Sequence, residues 1–214
     1  AYLSEMDQGL VGGILGADQP SSAPMSRQRP AVERYHDRVA NIYDGIYDQD
    51  PYWQAVFELT WRQLKRFLPR DQSTRCLDVG CGTGRWGLQL LKSGYKTDFL
   101  DISQAMLDQV AGKLARQDLP SVPWTALEPD GEGPQAPVPP TANCRLIHGS
   151  IEDLRALPAD GYGFIVGQGD PLGCAQRPER AMKELVRILK PGGVLLLSVD
   201  NRFQGIRHHL DAGE

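Results

Sequence analysis

The sequence lacks any long apolar run. Nothing in its 214 residues approaches 18 uninterrupted apolar positions, the length that a membrane-spanning helix requires. Residues 1–30 also lack a basic segment followed by an apolar core, which is the pattern of a secretory signal. We therefore expect a cytoplasmic protein without a membrane partner.

The sequence also lacks a paired-cysteine motif and an excess of basic residues. The four cysteines, Cys76, Cys81, Cys144 and Cys174, show no Cys-x-x-Cys spacing, so we expect free thiols in a reducing compartment and no metal site. Lys and Arg number 23 against 27 Asp and Glu, which gives a net charge of −4. This balance is unlike the basic surface of nucleic-acid-binding proteins, and we expect no nucleic-acid partner.

Glycine, in contrast, is concentrated in one informative place. The stretch Leu77–Gly84 (LDVGCGTG) is a short apolar strand that runs into three alternating glycines. Glycine allows a tight turn with positive φ and leaves room for a ligand directly against the main chain. A strand, a glycine-rich turn and a helix in this order are typical of folds that bind nucleotide-like ligands.

The spacing of these glycines argues against two common ligands. A dinucleotide fingerprint would need a third glycine at position 85, where this chain has Arg85. A phosphate-binding loop would end in Gly-Lys-Ser/Thr, whereas here Trp86 follows Arg85. Asp78, beside the mouth of the turn, would repel a pyrophosphate and attract an ammonium or sulfonium group. The turn therefore suits a ligand without phosphates.

A second acidic residue, Asp101, lies at the carboxyl end of the next predicted strand. It follows Gly82 by 19 positions, which is where such folds hold the two hydroxyls of a ribose. Asp98 is the alternative, but its mid-strand position predicts that it faces a helix or solvent. Asp101 is therefore the predicted ribose ligand.

The glycine turn and three later motifs together resemble a known family. Asp101–Leu107 (DISQAML), Gly149–Leu154 (GSIEDL) and Leu189–Ser198 (LKPGGVLLLS) follow the turn in that order. The set is similar to the ordered motifs of the S-adenosylmethionine-dependent methyltransferases with a Rossmann-like fold. Each motif is weak alone, but four in the right order are a strong signal. The resemblance covers about residues 32–206.

The resemblance implies a binding mode for S-adenosylmethionine. Asp101 would hold the ribose hydroxyls, and Ile102 would pack on one face of the adenine. The methionine part would lie against the glycine turn, at Asp78, Gly80, Cys81, Gly82 and Gly84.

The third motif departs from the family pattern. The family often has an Asp that accepts from the adenine amine, followed by a small residue, whereas this chain has Ser150 and Ile151. Serine can still accept one hydrogen bond, so we keep both residues as predicted adenine contacts. Ser150 could also be the N-cap of a helix, with Asp153 three residues on.

In the family, the end of the fourth strand faces the transferred methyl group. Gln168 is therefore a predicted cofactor contact and Asp170 a candidate catalytic residue. Asp170 could orient an amine or hydroxyl of the substrate, or it could simply form a turn with Pro171.

Aromatic residues upstream of the core resemble the Tyr-Asp-rich helix that closes over the cofactor in small-molecule methyltransferases. Tyr43 is the predicted cofactor-facing ring, because an aromatic face attracts the positive charge of a sulfonium. His36 is the candidate general base for an acceptor that must lose a proton. Simple packing of the entry helix, or an ordinary surface histidine, is the alternative for each.

Strand-like and helix-like segments alternate along the chain and predict an α/β fold. We expect a three-layer sandwich with a mostly parallel, doubly wound sheet and N-terminal capping helices. The predicted strands lie near residues 75–79, 96–100, 144–148, 162–167 and 194–199. The family architecture has two further strands, and this sequence contains no counterpart of strands six and seven. We therefore expect it to be part of a longer protein.

The domain organisation follows from composition. Residues 1–30 are predicted to be a flexible arm, and residues 31–214 one S-adenosylmethionine-binding domain. Within that domain, residues 119–141 carry seven prolines, so we expect a mobile surface insertion there.

The predicted function is S-adenosylmethionine-dependent methyl transfer to a small-molecule acceptor by in-line displacement, with S-adenosylhomocysteine as product. Two alternatives share the fold: a non-catalytic cofactor-binding or interaction protein, and a methyltransferase acting on protein or nucleic acid. A nicotinamide-dependent oxidoreductase is a further alternative, and Arg85 disfavours it.

Overall fold

The computed structural model describes residues 30–119, 121–122 and 143–200, with 121–122 described as backbone. The helices are α1 (Ala31–Val39), α2 (Tyr43–Asp48), α3 (Pro51–Leu64), α4 (Arg85–Lys92), α5 (Gln104–Ala115) and α6 (Pro178–Ile188), with a 3-10 turn at Lys65–Phe67. The strands are β1 (Arg75–Val79), β2 (Lys96–Asp101), β3 (Ser121–Val122), β4 (Cys144–His148), β5 (Tyr162–Gly167) and β6 (Leu189–Leu197). No helix in these ranges is long and apolar enough to cross a bilayer.

The described strands form one sheet in the order β3-β4-β2-β1-β5-β6. Every neighbouring pair is parallel. The chain winds outward from β1 through β2 to β4, then returns to the other side of β1 with β5 and β6. This reversal leaves a crevice at the carboxyl ends of β1 and β5, where ligands of such sheets bind. The predicted α/β, doubly wound fold is confirmed.

Apolar side chains alternate between the two faces of the sheet, as the period of two in a strand requires. On one face, Leu77 and Ile165 pack with residues of α6 such as Leu185. On the other face, Phe99 packs with α5 through Val110. Burial on both faces explains why the strands are nearly continuous apolar runs in the sequence.

Of the helices before β1, α1 and α2 form a cap at the carboxyl edge of the sheet, and α3 packs on a face of the sheet through residues such as Leu64. Pro51 starts α3 at its first turn, and Asp50 caps it by accepting the N–H of Tyr52 at 2.8 Å. Phe57 of α3 then meets Trp86 of α4 edge to face, with 6.0 Å between ring centroids. The predicted capping helices are therefore present and are packed onto the α/β core.

Two elements differ from the sequence prediction. The short strand β3 pairs with β4, although its residues fall inside the predicted Pro-rich insertion. β6 begins at Leu189 rather than near Val194, because the Lys190-Pro191-Gly192-Gly193 segment is an irregular start of the strand beside Tyr162. The predictions for the arm, for most of the insertion and for the residues after 200 lie outside the described ranges.

The expectation that Asp98 faces a helix or solvent is wrong. Its carboxylate is fully buried and receives hydrogen bonds from Arg75 at 2.7 Å and from the Tyr162 hydroxyl at 2.9 Å. Arg145 binds the second carboxylate oxygen. Four strands thus converge on one carboxylate, a long-range arrangement that a single strand pattern does not reveal.

We predict that Asp98→Ala destabilises the protein by about 3 kcal/mol, because two arginines would lose a buried partner. This is the lower end of the range for buried pairs, since both arginines keep about a fifth of their side chains exposed. Denaturant unfolding at neutral pH measures the change. Asp153→Ala is the control: it breaks the more exposed pair with Arg155 and should cost about 1 kcal/mol or less. Equal losses in both variants would contradict the prediction.

Candidate functional site

A cavity of about 550 Å³ opens at the carboxyl ends of β1, β2, β4 and β5. Its position is the topological crevice where the winding of the sheet reverses, and its size is typical of a small-molecule site. The cap closes one side of it. Of the predicted site residues, the cavity wall contains His36, Tyr43, Gly80, Gly82, Asp101, Ile102, Ser150, Ile151 and Gln168.

The glycine turn forms the wall of the cavity after β1. Gly80 and Gly82 both have positive φ, +60° and +52°. A Cβ on Gly80 would lie 2.6 Å from Cβ of Pro171, so the position tolerates neither the conformation nor the volume of another residue. Gly84 starts α4, and a Cβ there would lie 2.9 Å from Val110. The first two glycines shape the cavity, and Gly84 instead serves helix packing.

Asp101 connects the end of β2 to this turn. Its carboxylate accepts the Gly82 N–H at 2.8 Å and the Ser103 N–H at 2.9 Å. Burial raises the pKa of Asp101, while these two hydrogen bonds and the nearby His36 and His148 act in the opposite direction. A carboxylate has about four lone-pair sites, so two remain for hydroxyl donors inside the cavity.

Asp78 lies behind the turn rather than in the cavity wall. It is fully buried, and one of its carboxyl oxygens accepts the N–H of Gly87 in α4 at 2.7 Å. The other oxygen has no hydrogen-bond partner within the described part of the chain. Burial raises the pKa of Asp78 well above its ordinary value. The prediction that Asp78 touches the ligand stays untested, and the contact observed is with α4.

Cys81 is likewise buried behind the turn. Its backbone N–H donates to the carbonyl of Leu100 at 3.0 Å, which fixes the turn against β2. Its thiol lies 3.5 Å from the carbonyl of Gly82. Cys81 therefore supports the shape of the turn and does not line the cavity.

The cap contributes His36 and Tyr43. His36 Nδ1 lies 2.8 Å from the carbonyl of Val32, so Nδ1 carries the hydrogen and Nε2 of the neutral ring is an acceptor. Tyr43 stands over the turn, with a ring carbon 3.9 Å from where a Cβ of Gly82 would be. Burial raises the pKa of the Tyr43 phenol, which remains neutral. The cap thus places one hydrogen-bond acceptor, Nε2 of His36, and one aromatic face, that of Tyr43, at the border of the cavity.

The segment after β4 forms the far wall. Ser150 Oγ accepts the N–H of Glu152 at 3.2 Å, and no helix follows among residues 149–161. Ser150 therefore stabilises a turn, and its interpretation as a helix N-cap is wrong. Ile102 and Ile151 also line the cavity, which gives it two apolar side chains suited to a flat ring.

The segment after β5 carries two predicted site residues, and only the first of them lines the cavity. Gln168 lines the cavity, and its Nε2 donates to the carbonyl of Leu196 at 3.4 Å. Asp170 has φ of +60° and accepts the N–H of Gly173 at 2.9 Å. Asp170 lies outside the cavity wall, and its observed contact is within its own turn.

Sequence reasoning missed Glu152 and Arg177, which close the wall between β4 and α6. The buried Glu152 accepts the N–H of Gln176 at 2.7 Å and Nε–H of Arg177 at 3.0 Å. Glu152 follows β4 as Asp101 ends β2, so its place at the carboxyl edge was a usable signal. Its partners on the later segment could not be found without the fold.

The residues that line the cavity fit S-adenosylmethionine. The spare lone pairs of Asp101 and the two isoleucines match a ribose and a flat base. The lack of room for a Cβ at Gly80 marks a backbone built for close approach.

Comparison with known proteins identifies the family. A model described as a methyltransferase domain matches residues 52–212, about three quarters of the sequence. The chain belongs to this methyltransferase domain family. The match includes the glycine turn, Asp101 and the segments after β4 and β5, which together surround the cavity.

Curated relatives of this methyltransferase domain include enzymes with different acceptors. It is 29% identical over 175 residues to malonyl-(acyl-carrier protein) O-methyltransferase of Halalkalibacterium halodurans, covering 79% of this chain and 55% of the relative. It is 26% identical over 171 residues to demethylmenaquinone methyltransferase of Staphylococcus aureus, covering 77% and 55%. The biotin biosynthesis bifunctional protein BioHC of Saccharophagus degradans is 28% identical over 209 residues, covering 92% and 32%. The chain thus spans between about a third and just over half of the length of these relatives.

Solved structures show the same fold. The cyclase SpnF superposes with a TM-score of 0.61 at 20% identity, covering 83% of this chain and 63% of that protein. A Methanococcus maripaludis protein described as a putative S-adenosylmethionine-dependent methyltransferase gives a TM-score of 0.55 at 17% identity, covering 90% and 74%. At these identities the likeness establishes the fold.

The burial of Asp78 predicts a pH-dependent stability. A raised pKa means that the folded protein holds this proton more tightly than the unfolded chain. The folded state is therefore progressively penalised as pH rises from the unfolded pKa towards the folded one. Asp78→Asn should remove the penalty, because an amide mimics the neutral carboxyl.

Denaturant unfolding of wild-type and Asp78→Asn protein between about pH 4 and 8 tests this, with stability compared at each pH. The stability of the variant relative to wild type should increase with pH. Asp108→Asn, on the exposed side of α5, is the control and should follow wild type. Parallel curves for wild type and Asp78→Asn would contradict the prediction.

Proposed function

We propose that this protein is an S-adenosylmethionine-dependent methyltransferase acting on a small-molecule acceptor. The observation that carries the proposal is the joint placement of the Gly80–Gly82 turn and Asp101 at one cavity in a chain of the methyltransferase domain family. A turn without a phosphate-binding lysine, next to a carboxylate with spare lone pairs, suits a nucleoside that carries no phosphate.

The cavity offers a place for each part of this cofactor. Asp101 would accept from the two ribose hydroxyls, and Ile102 and Ile151 would enclose the adenine. The methionine part would lie along Gly80 and Gly82. When bound, the cofactor supplies an electrophilic methyl group on a positively charged sulfur.

The contribution of the protein is alignment and exclusion of water. The cap and the turn would hold donor and acceptor in line, an orientation effect worth roughly 7–11 kcal/mol of barrier at most. The ring of Tyr43 presents an aromatic face where a cation is favoured. Nε2 of His36 could take the proton that a hydroxyl or amine acceptor loses. Asp170 stays a candidate for orienting the acceptor only if its turn opens.

A small-molecule acceptor is supported by the cap, which covers the cavity and limits access. The names of two relatives above give demethylmenaquinone and malonyl-(acyl-carrier protein) as their acceptors. The negative net charge gives no reason to expect nucleic acid.

A non-catalytic role is the second candidate. A solved structure of the same fold, with a TM-score of 0.61, is named a cyclase, so this fold does not itself dictate methyl transfer. Binding of the cofactor and transfer of its methyl group therefore need separate tests.

Binding is tested by titrating the protein with S-adenosylhomocysteine in a calorimeter. We expect binding by wild type and about 10- to 100-fold weaker binding by Asp101→Asn, because charge-assisted hydrogen bonds to the ribose are lost. Asp108→Asn should bind as wild type does. Absence of binding by folded wild-type protein would overturn the cofactor assignment.

The pH dependence of the same titration adds a second criterion. Because the pKa of Asp101 is raised, wild-type affinity should begin to fall at a higher pH than an ordinary aspartate would cause. The loss should grow as pH decreases, since the protonated carboxyl accepts hydroxyl donors less well. Asp101→Asn should show a flatter profile, and identical profiles would argue against ribose binding at Asp101.

Methyl transfer is tested with methyl-labelled cofactor and separated cell fractions. Label in the metabolite fraction is the expected result. Label in protein or nucleic acid would redirect the assignment to those acceptors. Binding without any transfer would favour the non-catalytic role.

A further inference from the structure

The N-terminus of α2 is fastened directly to the glycine turn. Asp44 Oδ1 accepts the hydroxyl hydrogen of Thr83 at 2.6 Å, and Asp44 Oδ2 lies 2.6 Å from Nζ of Lys113 in α5. Nζ of Lys113 also donates to the Thr83 carbonyl at 2.8 Å. Asp44, Thr83 and Lys113 therefore form a closed triangle of hydrogen bonds, which we term the latch.

The latch joins three elements that the sequence separates widely. Thr83 lies 39 residues from Asp44 and 30 residues from Lys113. Thr83 is buried, and the side chains of Asp44 and Lys113 are 34% and 20% exposed. Hydrogen bonds to charged partners in such partly shielded positions are stronger than those on an open surface.

The latch also sits next to the residues that face the cavity. Tyr43 precedes Asp44 and stands over Gly82, which precedes Thr83. The cap and the turn therefore meet at two consecutive residue pairs. Tyr43 and Gly82 border the cavity, and Asp44 and Thr83 are joined by a hydrogen bond. A ligand that lies in the cavity against the turn could leave past Tyr43 only if α2 moved away from Thr83.

The other polar contacts of the cap described here do not reach the glycine turn. Asp37 of α1 accepts from the Ser103 hydroxyl at the start of α5, at 2.6 Å. Asp48 of α2 pairs with Arg85 at a more exposed position, and Arg85 lies over the ring of Phe57. These contacts attach the cap to helices, whereas the latch attaches it to the backbone that shapes the cavity.

We propose that the Asp44–Thr83–Lys113 latch is a positioning device that couples closure of α2 to the glycine turn and thereby slows ligand release. The inference rests on the proposed function for the identity of the ligand. Asp44, Thr83 and Lys113 do not contact the cavity, so they act through Tyr43 and Gly82. Burial alone would raise the pKa of Asp44, but hydrogen bonds from Lys113 and Thr83 outweigh it and lower that pKa, so the charged form persists.

The dissociation rate of S-adenosylhomocysteine, measured by stopped-flow competition, tests the latch. We expect Asp44→Asn and Lys113→Met each to release the ligand roughly three- to tenfold faster, as loss of a partly exposed charged hydrogen bond implies. The double variant should release it no faster than the stronger single variant, because both changes open the same triangle.

Matched substitutions separate positioning from general stability. Thr83→Val removes the hydroxyl with little change of shape and should behave as Asp44→Asn does, whereas Thr83→Ser should stay near wild type. Asp48→Asn, one turn further along α2, is the control and should change the rate less than twofold. Unchanged release from Asp44→Asn, or equal acceleration by Asp48→Asn, would overturn the proposal.

Hydrogen exchange of the free protein keeps this test separate from the proposed function. Asp44→Asn should accelerate exchange of amides in residues 80–84 as well as in α2, whereas Asp48→Asn should leave residues 80–84 unchanged, because its partner Arg85 follows that segment. If wild type does not bind S-adenosylhomocysteine, the cofactor assignment fails, and these exchange rates still decide the coupling. Unchanged exchange at residues 80–84 in Asp44→Asn would refute it.

Discussion

The buried carboxylate of Asp101 is the interaction on which the site depends. It binds the N–H of Gly82 and that of Ser103, so it fixes the turn after β1 and the start of α5 from the end of β2. Backbone N–H groups that leave the sheet need such a partner, since unpaired buried donors are costly. One side chain thereby sets the distance between two loops, and the cavity is the space that remains between them.

Much of this arrangement follows from local sequence patterns. The apolar runs and their glycine boundaries predicted the central strands, because strands buried on both faces need continuous apolar segments. Asp101 was found by its place at the carboxyl end of β2. The glycine turn was found by its spacing. These signals are short-range, and a parallel sheet brings its carboxyl ends to one edge whatever the intervening lengths.

The missed features depend on pairing between distant segments. Asp98 was expected to face a helix or solvent, yet Arg75, Arg145 and Tyr162 reach it from three other strands. Glu152 closes the cavity only because the segment after β5 returns to it. These partners are too far apart in the sequence for a periodic pattern to indicate them.

The Asp98 cluster also bears on how the molecule opens. Because side chains from β1, β2, β4 and β5 share one carboxylate, no one of these strands can detach without exposing charges on the others. The central sheet should therefore behave as a single cooperative unit in native-state fluctuations. The cap has its own separate attachments, so it can loosen while this unit stays intact. Loosening of the cap would therefore leave the sheet that carries Asp101 folded, so a small molecule could enter without unfolding the surface that holds it.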